Sequence, residues 1–158
     1  MNTADAEAVL WIYQEGMDTG QATFQTSAPT WEDWDKSHLG DLRFVATVDD
    51  QVAGWVALSP VSSRCVYAGV VEVSIYVGDN FRGRKIGFSL MQYLTEASEQ
   101  AGYWTLQAGI FRENIASIAL HHKCGFRTIG FREKVGEMNG VWRDTILLER
   151  RSATIGVK

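Results

Sequence analysis

Glu72 and a basic turn shortly after it are the features of this sequence that most directly indicate chemistry. Glu72 is a lone carboxylate in a run of β-branched and apolar residues, 70–77, and the turn follows at 82–85. Burial among apolar neighbours makes a carboxylate a stronger base, as general-base catalysis requires. A strand carboxylate that pairs with an arginine is the structural alternative for Glu72.

The basic turn, of sequence RGRK, lies between a predicted strand and a predicted helix. Apolar residues alternate over 70–77 with the period of a strand. Ile86, Leu90 and Leu94 recur at helical spacing, so the helix should begin near Arg84. Free backbone N–H groups, the helix dipole and the cations would then converge. This arrangement predicts a site for a phosphate-bearing ligand, with a solvated charged turn as the alternative.

Composition limits the class of protein. The 158 residues are 46% hydrophobic with a formal net charge of -4, which predicts one globular domain and argues against a nucleic-acid or anionic-membrane binder. No apolar run approaches the roughly 20 residues that span a bilayer, and no signal peptide is evident, so we expect a cytoplasmic protein. Cys65 and Cys124 form no CxxC or Cys/His cluster, so neither a disulfide nor a metal site is predicted.

The predicted elements follow the order α-α-β-β-β-α-β-α-β-β, which is an α/β domain. Residues 1–151 should form this single domain and 152–158 a frayed tail. Thr3 or Asp5 is the expected cap of the first helix, and Thr30 is the expected cap of the second. The predicted strands are 43–48, 52–58, 70–77, 104–110, 126–135 and 141–148, and the last predicted helix is 115–123.

Four separated stretches of sequence identify a family. They are EVSIYV, FRGRKIG, RENIASIALHHKCGF and VGEMNGVWRD, in one order over residues 72–144. Through them the chain resembles the GNAT superfamily of acyl-CoA-dependent N-acyltransferases, and within it the phosphinothricin or methionine sulfone acetyltransferase branch. The resemblance extends over nearly the whole chain. It implies a GNAT-type α/β fold with a mixed, mostly antiparallel central sheet flanked by helices.

The resemblance also implies that acetyl-CoA is the acetyl donor. The basic turn would hold its pyrophosphate, and the edge of the central strand would pair with the extended pantetheine arm. The implied cofactor-binding residues are Ile75, Tyr76, Val77, Arg82, Gly83, Arg84, Lys85, Ile86, Gly87, Phe88, Asn114 and Ser117. Asn114 and Ser117 fit equally well as a helix cap and an ordinary first-turn residue.

Catalytic and substrate residues follow from the same resemblance. Glu72 matches the branch's catalytic glutamate, which would take a proton from the substrate ammonium directly or through a water. His121 is the second candidate for proton handling, with a surface histidine as its alternative. The Val77 N–H is expected to bind the thioester oxyanion. Arg64 is suited to a carboxylate or phosphinyl oxygen. The implied substrate residues are Ser62, Ser63, Arg64, Glu72, Val73 and Ser74.

The sequence departs from the family pattern at three places. Lys85 stands where the family turn usually carries a glycine, so its side chain either crowds the phosphates or adds a cation. Met138 stands where relatives commonly place a lysine, which bears on substrate choice. Family members usually begin with a strand, yet few residues precede Asp5, so that strand is either missing or encoded upstream.

Together these features predict an N-acetyltransferase that acts on the amino group of a small amino-acid-like substrate, by direct attack in a ternary complex. The resemblance implies phosphinothricin, methionine sulfone or methionine sulfoximine as substrate and a homodimer as assembly. No nucleic-acid or membrane partner is expected. Two alternatives stay open: a GNAT enzyme for a polyamine or a protein N-terminus, and a non-catalytic acyl-CoA-binding regulator.

Overall fold

A computed structural model describes residues 1–157, which contain four α-helices and six strands. The helices are α1 (Ala6–Asp18), α2 (Trp31–Ser37), α3 (Ile86–Gln100) and α4 (Ile115–Lys123). The strands are β1 (Arg43–Val48), β2 (Gln51–Pro60), β3 (Val70–Val77), β4 (Thr105–Phe111), β5 (Arg127–Met138) and β6 (Val141–Arg151). Apart from short 3₁₀ turns before α1, β3 and α3, this is the predicted order of elements.

The strands form one sheet in the order β1-β2-β3-β4-β6-β5. β3 and β4 are parallel, and the other neighbouring pairs are antiparallel, so the predicted mixed, mostly antiparallel sheet is confirmed. The parallel register is short and ends where Glu72 pairs with Gln107. By contrast, β2 stays paired with β3 as far as Val77. Beyond Glu72 the two parallel strands therefore separate, and one edge of β3 has no partner strand among residues 1–157.

Alternation of side chains divides the sheet into two faces. On the first face, Trp55 and Ala57 of β2 pack with Val9 and Ile12 of α1 and with Trp34 of α2. On the second face, α3 covers the larger core, which includes Val56, Leu58, Val71, Val73, Leu106, Ala108, Leu90, Met91 and Leu94. Glu72 alternates with Val71 and Val73, so it belongs to the first face.

Two local features, a hairpin turn and a helix cap, form as the sequence predicts. Asp49 and Asp50 have φ values of 50° and 62°, which is the geometry of a two-residue turn whose twist suits antiparallel strands. This turn closes the predicted β1–β2 hairpin. The Thr30 hydroxyl accepts a hydrogen bond from the Asp33 N–H at 3.2 Å, so Thr30 caps α2.

The N-terminal cap differs from the expectation. Asn2 Oδ1 accepts from the N–H of Ala4 at 2.8 Å, and the Asp5 carboxylate accepts from the N–H of Asn2 at 2.7 Å. These bonds form a capping box around the 3₁₀ turn before α1. Of the two predicted cap residues, Asp5 does stand at the N-cap position of α1, but its side chain makes no capping hydrogen bond there because it turns back to Asn2. Within residues 1–157, no strand precedes α1.

Residues 152–156 fold back on Arg151 at the end of β6. The guanidinium of Arg151 donates to the Trp104 carbonyl and to three carbonyls of the following segment at 2.7 to 3.0 Å. Ser152 is buried. The division into a domain over 1–151 and a frayed tail stays a prediction.

Candidate active site

A groove with a volume of about 1020 Å³ opens where β3 and β4 separate. One side, which we term the basic side, is formed by β3, the turn after it, the N-terminal part of α3 and the length of α4. The other side, which we term the sheet side, is formed by the end of α1, residues 19–24 and the first face of β4, β6 and β5. Glu72 lies where the two sides meet.

The basic side depends on a left-handed turn. Gly83 and Lys85 have φ values of 77° and 62°, and a right-handed α-helix does not include such a backbone. The predicted start near Arg84 therefore falls at Ile86. No side chain caps α3. The N–H groups of its first turn are therefore available to an anion at the positive end of the helix.

All of the predicted cofactor-binding residues except Arg84 line this groove. Arg84 instead lies over a ring, its Cζ 5.8 Å from the centroid of Phe81. Asn114 Oδ1 accepts from the Ser117 N–H at 3.2 Å, so Asn114 caps α4. Its Nδ2 donates to the Gln21 carbonyl at 3.2 Å. Asn114 thereby ties α4 to the loop across the groove.

The edge of β3 beyond Glu72 offers free backbone donors. The N–H of Gly78 donates to the Ala53 carbonyl of β2 at 2.9 Å. Because N–H groups alternate in direction along a strand, those of Val77 and Ile75 point away from β2 and toward the groove. An extended ligand that carries amides would pair with this edge as an added strand does.

The Tyr76 side chain takes part in packing. Its ring stacks on Trp55 with centroids 4.9 Å apart and meets Tyr13 edge to face at 4.8 Å. Burial raises the pKa of the Tyr76 phenol far above its usual value, so the hydroxyl stays protonated at neutral pH. The backbone of Tyr76, as part of the β3 edge, is the part available to a ligand.

Glu72 faces the open groove. Its side chain is exposed, and the Gln107 Nε2 donates to its Oε2 at 3.1 Å. Within residues 1–157, Oε1 makes no hydrogen bond. The expectation that Glu72 is buried among β-branched neighbours is wrong, because Val71 and Val73 point to the opposite, α3-covered face. A free carboxylate oxygen at this position can accept a proton from a ligand or a water.

His121 is buried, with an exposed fraction of 2%, which excludes the surface alternative. Its Nδ1 lies 2.8 Å from the Ser117 carbonyl, and since a carbonyl only accepts, Nδ1 carries the proton of the neutral ring. Nε2 has no partner within residues 1–157, and His121 lines the groove. Burial lowers the pKa of His121 against the opposing effect of the Ser117 carbonyl. The ring is therefore neutral at neutral pH and accepts at Nε2.

The predicted substrate residues fall into two groups. Those that line the groove are Glu72, Val73 and Ser74. Those in the loop after β2, which the structure does not bring into the groove lining, are Ser62, Ser63 and Arg64. Arg64 Cζ lies 5.6 Å from the ring centroid of Tyr67 in the same loop. Because β2 ends at Pro60, opposite Val71, this loop leaves the sheet close to Glu72.

Sequence reasoning missed most of the sheet side. Thr145 pairs with Phe111 on one flank and with Arg132 on the other, so residues distant in sequence form one row. The only sequence signal was the alternation in β4, which places Gln107 and Phe111 on one face. The missed residues used below are Gln107, Gly109, Phe111, Arg132, Thr145 and Leu147.

The site combines a basic turn at a helix start, a free strand edge and a carboxylate beyond that edge. This combination is typical of an enzyme that holds a phosphate-bearing donor beside a proton acceptor. The model of the Acetyltransferase (GNAT) family matches residues 7–126. The chain therefore belongs to the GNAT acetyltransferase family. It is an acetyl-CoA-dependent N-acetyltransferase, and acetyl-CoA is its acetyl donor. The predicted family, fold, enzyme class and donor are confirmed.

Relatives cover almost the whole chain. L-methionine sulfoximine/L-methionine sulfone acetyltransferase of Pseudomonas paraeruginosa is 37% identical over 92% of this chain and 88% of its own. The crystal structure of ribosomal-protein-alanine N-acetyltransferase from Brucella melitensis is 30% identical, with a TM-score of 0.89, over 96% of this chain and 97% of its own. A GNAT superfamily phosphinothricin acetyltransferase from Sinorhizobium meliloti, solved in complex with AcCoA, is 26% identical with a TM-score of 0.90. That match covers 100% of this chain and 89% of the other.

Residues 1–157 contain neither a membrane-spanning helix nor a cluster of metal-ligating side chains. No helix there is long and apolar enough to cross a membrane. No group of three or more His, Cys, Asp or Glu side chains is placed to hold a metal ion in that range. Cys65 and Cys124 are free thiols.

Proposed function

We propose that the enzyme acetylates the amino group of a small amino-acid-like substrate of the phosphinothricin, methionine sulfone or methionine sulfoximine type. The observation that carries the proposal is the exposed Glu72 carboxylate, which lies in the groove beside the free edge of β3. The similarity to named enzymes supports the substrate class, since methionine sulfone and phosphinothricin acetyltransferases align over nearly the whole chain.

Glu72 acts as the general base. An amino group is mostly protonated at neutral pH, and a proton must leave before the nitrogen can attack. Glu72 accepts that proton at its free Oε1, directly or through a water, while Gln107 holds the other oxygen. The nitrogen then forms a bond to the acetyl carbon, the carbon–sulfur bond of the thioester breaks, and the leaving thiolate takes up the proton that the acylated nitrogen loses.

Neighbouring groups stabilise the oxyanion, accept a proton and bind the pyrophosphate. The Val77 N–H points toward the groove and donates to the oxyanion that develops on the thioester carbonyl. His121 serves as a second proton acceptor, because its Nδ1 proton is held by the Ser117 carbonyl and its Nε2 is free. The first turn of α3, with Gly83 and Lys85 before it, holds the pyrophosphate.

The test is release of CoA thiol from acetyl-CoA with phosphinothricin, methionine sulfone, spermidine and a short peptide as acceptors. Turnover should be highest with the first two. Glu72→Gln should lower kcat by about 10²- to 10⁴-fold, the usual contribution of a general base, without weakening acetyl-CoA binding. Glu133→Gln is the control, because Glu133 is exposed on β5 outside the groove lining.

Two results would contradict the proposal. Equal activity of Glu72→Gln and wild type would remove Glu72 as the base. Binding of acetyl-CoA without turnover of any amine would instead support the alternative of a non-catalytic acyl-CoA-binding regulator.

A protein N-terminus is the second candidate acceptor. The Brucella melitensis enzyme, a ribosomal-protein-alanine N-acetyltransferase by name, matches this chain with a TM-score of 0.89. A peptide that begins with alanine belongs in the panel for this reason. A kcat/KM for the peptide above that for both amino-acid analogues would favour this candidate. A polyamine is less suited to the groove, since the sheet side carries the cation of Arg132.

We also infer a homodimer in the cytoplasm. The β5–β6 hairpin exposes Phe131, Val141 and Trp142, by 53%, 58% and 58%, an apolar surface that a second copy would cover. Light scattering should then give twice the 17.6 kDa of one chain. The free thiols of Cys65 and Cys124 fit a reducing compartment.

A further inference from the structure

Arg132 is a cation on the sheet side of the groove. It lies on β5 opposite Thr145 of β6, which in turn lies opposite Phe111 of β4. Phe111 is on the same face of β4 as Gln107, whose side chain reaches Glu72. Register and alternation therefore place Arg132 on the face that carries Glu72, and its side chain lines the groove.

The neighbouring arginines of this part of the sheet are engaged with carboxylates. These pairs are Arg112 with Asp144, Arg127 with Glu149, Arg143 with Glu113 and Arg150 with Glu99. Within residues 1–157, the guanidinium of Arg132 makes no ion pair, side-chain hydrogen bond or ring stack. A guanidinium with no protein partner, facing a groove, has its full set of donors available to a ligand.

The space between Glu72 and Arg132 is open. Gly109 and Leu147 pair with each other between them. An added Cβ on Gly109 would meet no atom within 4 Å, so nothing crosses the groove there. The backbones of Glu72 and Arg132 are three strand spacings and four residue rises apart, roughly 20 Å in ordinary sheet geometry. Their side chains enter one groove from opposite ends.

We propose that Arg132 determines acceptor specificity by binding an oxyanion or sulfonyl oxygen at the far end of the acceptor's side chain. This inference rests on the proposed function. The α-amino and α-carboxylate groups of an amino acid share one carbon, so an acceptor whose amino group lies at Glu72 reaches Arg132 only with its distal end. The planar fork of a guanidinium matches two oxygens on one phosphorus or sulfur atom.

The experiment compares three acceptors of similar length that differ at that distal end. Phosphinothricin carries a phosphinate, methionine sulfone carries two neutral oxygens, and methionine carries a thioether without oxygen. With Arg132→Leu, kcat/KM for phosphinothricin should fall by about ten- to a hundredfold, the effect of losing hydrogen bonds to a charged group. Methionine sulfone should lose less, and methionine should change by less than about twofold.

Two further variants make the comparison specific. Arg132→Lys keeps the charge but loses the fork, so it should give an intermediate loss for phosphinothricin. Arg127→Leu removes a cation from the same strand but outside the groove lining, and should leave all three acceptors unchanged. The ratio of kcat/KM for phosphinothricin to that for methionine does not depend on the folded fraction of a preparation.

Each outcome decides between the two claims. If wild type acetylates phosphinothricin and Arg132→Leu keeps the wild-type ratio, the inference is wrong and the proposed function stands. If wild type acetylates none of the amino acids, or only peptides, the proposed function fails and the inference fails with it. A lowered ratio in Arg132→Leu but not in Arg127→Leu supports both.

Discussion

Gln107 donates a hydrogen bond from Nε2 to Oε2 of Glu72 at 3.1 Å, across the last pair of the parallel β3–β4 register. The bond therefore lies where the two strands separate and the groove begins. A general base must meet its proton in a narrow range of geometries, and a carboxylate held at one oxygen has fewer orientations. We therefore propose that Gln107 positions the proposed base, Glu72.

Gln107→Leu should lower kcat by about two- to tenfold, the value of one ordinary hydrogen bond. The Kd of acetyl-CoA should stay within about twofold, because Gln107 lies outside the basic side, where we propose that the donor binds. Steady-state kinetics and calorimetric titration of acetyl-CoA measure the two quantities. An unchanged kcat, with the same acceptor and saturating acetyl-CoA, would show that Glu72 needs no such support.

The parts of the fold that could be predicted are those with local signals. The β1–β2 hairpin follows from Asp49 and Asp50, which tolerate a left-handed turn, and α4 follows from the cap at Asn114. The sequence predicts the start of α3 only approximately, near Arg84, because a lysine gives no sign that its backbone is left-handed. The family's usual glycine at the position of Lys85 was the only hint.

The candidate site divides in the same way. The basic side is contiguous in sequence from β3 into α3, so one stretch of chain predicts it. The sheet side requires the register, because β6 lies between β4 and β5 and brings Thr145 between Phe111 and Arg132. Alternation predicts that Glu72 and Val71 point to opposite faces of the sheet. It does not indicate which face is open to the groove, and for this reason the prediction that Glu72 is buried is wrong.

Lys85→Gly should raise the free energy of unfolding and weaken the binding of acetyl-CoA. A left-handed backbone costs a residue with a Cβ roughly 1–2 kcal/mol, partly offset by the greater freedom of glycine in the unfolded chain. A gain of about 0.5–1 kcal/mol is expected in urea denaturation. Loss of one exposed cation near the pyrophosphate should raise the Kd of acetyl-CoA by about two- to fivefold.

Lys85→Ala separates the two effects. Alanine keeps the Cβ at a φ of 62°, so it should show the weaker acetyl-CoA binding without the gain in stability. If Lys85→Ala were as stabilised as Lys85→Gly, the left-handed backbone would not be the cause of the gain.

The stability that the buried His121 contributes should depend on pH. Burial lowers its pKa in the folded chain below the unfolded value of about 6.5, so the unfolded chain binds more protons between the two values. The contribution is complete above about pH 6.5 and is lost as the pH falls through the folded pKa. Relative to His121→Asn, wild type should lose stability below that pH, by at most about 1.4 kcal/mol per pH unit.

Urea denaturation of both proteins at neutral and mildly acidic pH measures this difference. His38, whose pKa is also lowered by burial, is present in both proteins and cancels in the comparison. A difference in stability that stays constant with pH would mean that His121 does not titrate with the fold.

Gly109→Val should weaken acceptor binding without destabilising the fold. A Cβ added at this position meets no atom within 4 Å, and valine suits a strand, so the unfolding midpoint should not fall. It would, however, fill the space between Glu72 and Arg132, and the KM for methionine sulfone should rise by about tenfold or more. Gly130→Val is the matched control, since Gly130 pairs with the same Leu147 from the other flank, has equal free space and does not line the groove. Wild-type kinetics in Gly109→Val would place the acceptor elsewhere, whereas a loss in both variants would point to a general effect on the sheet.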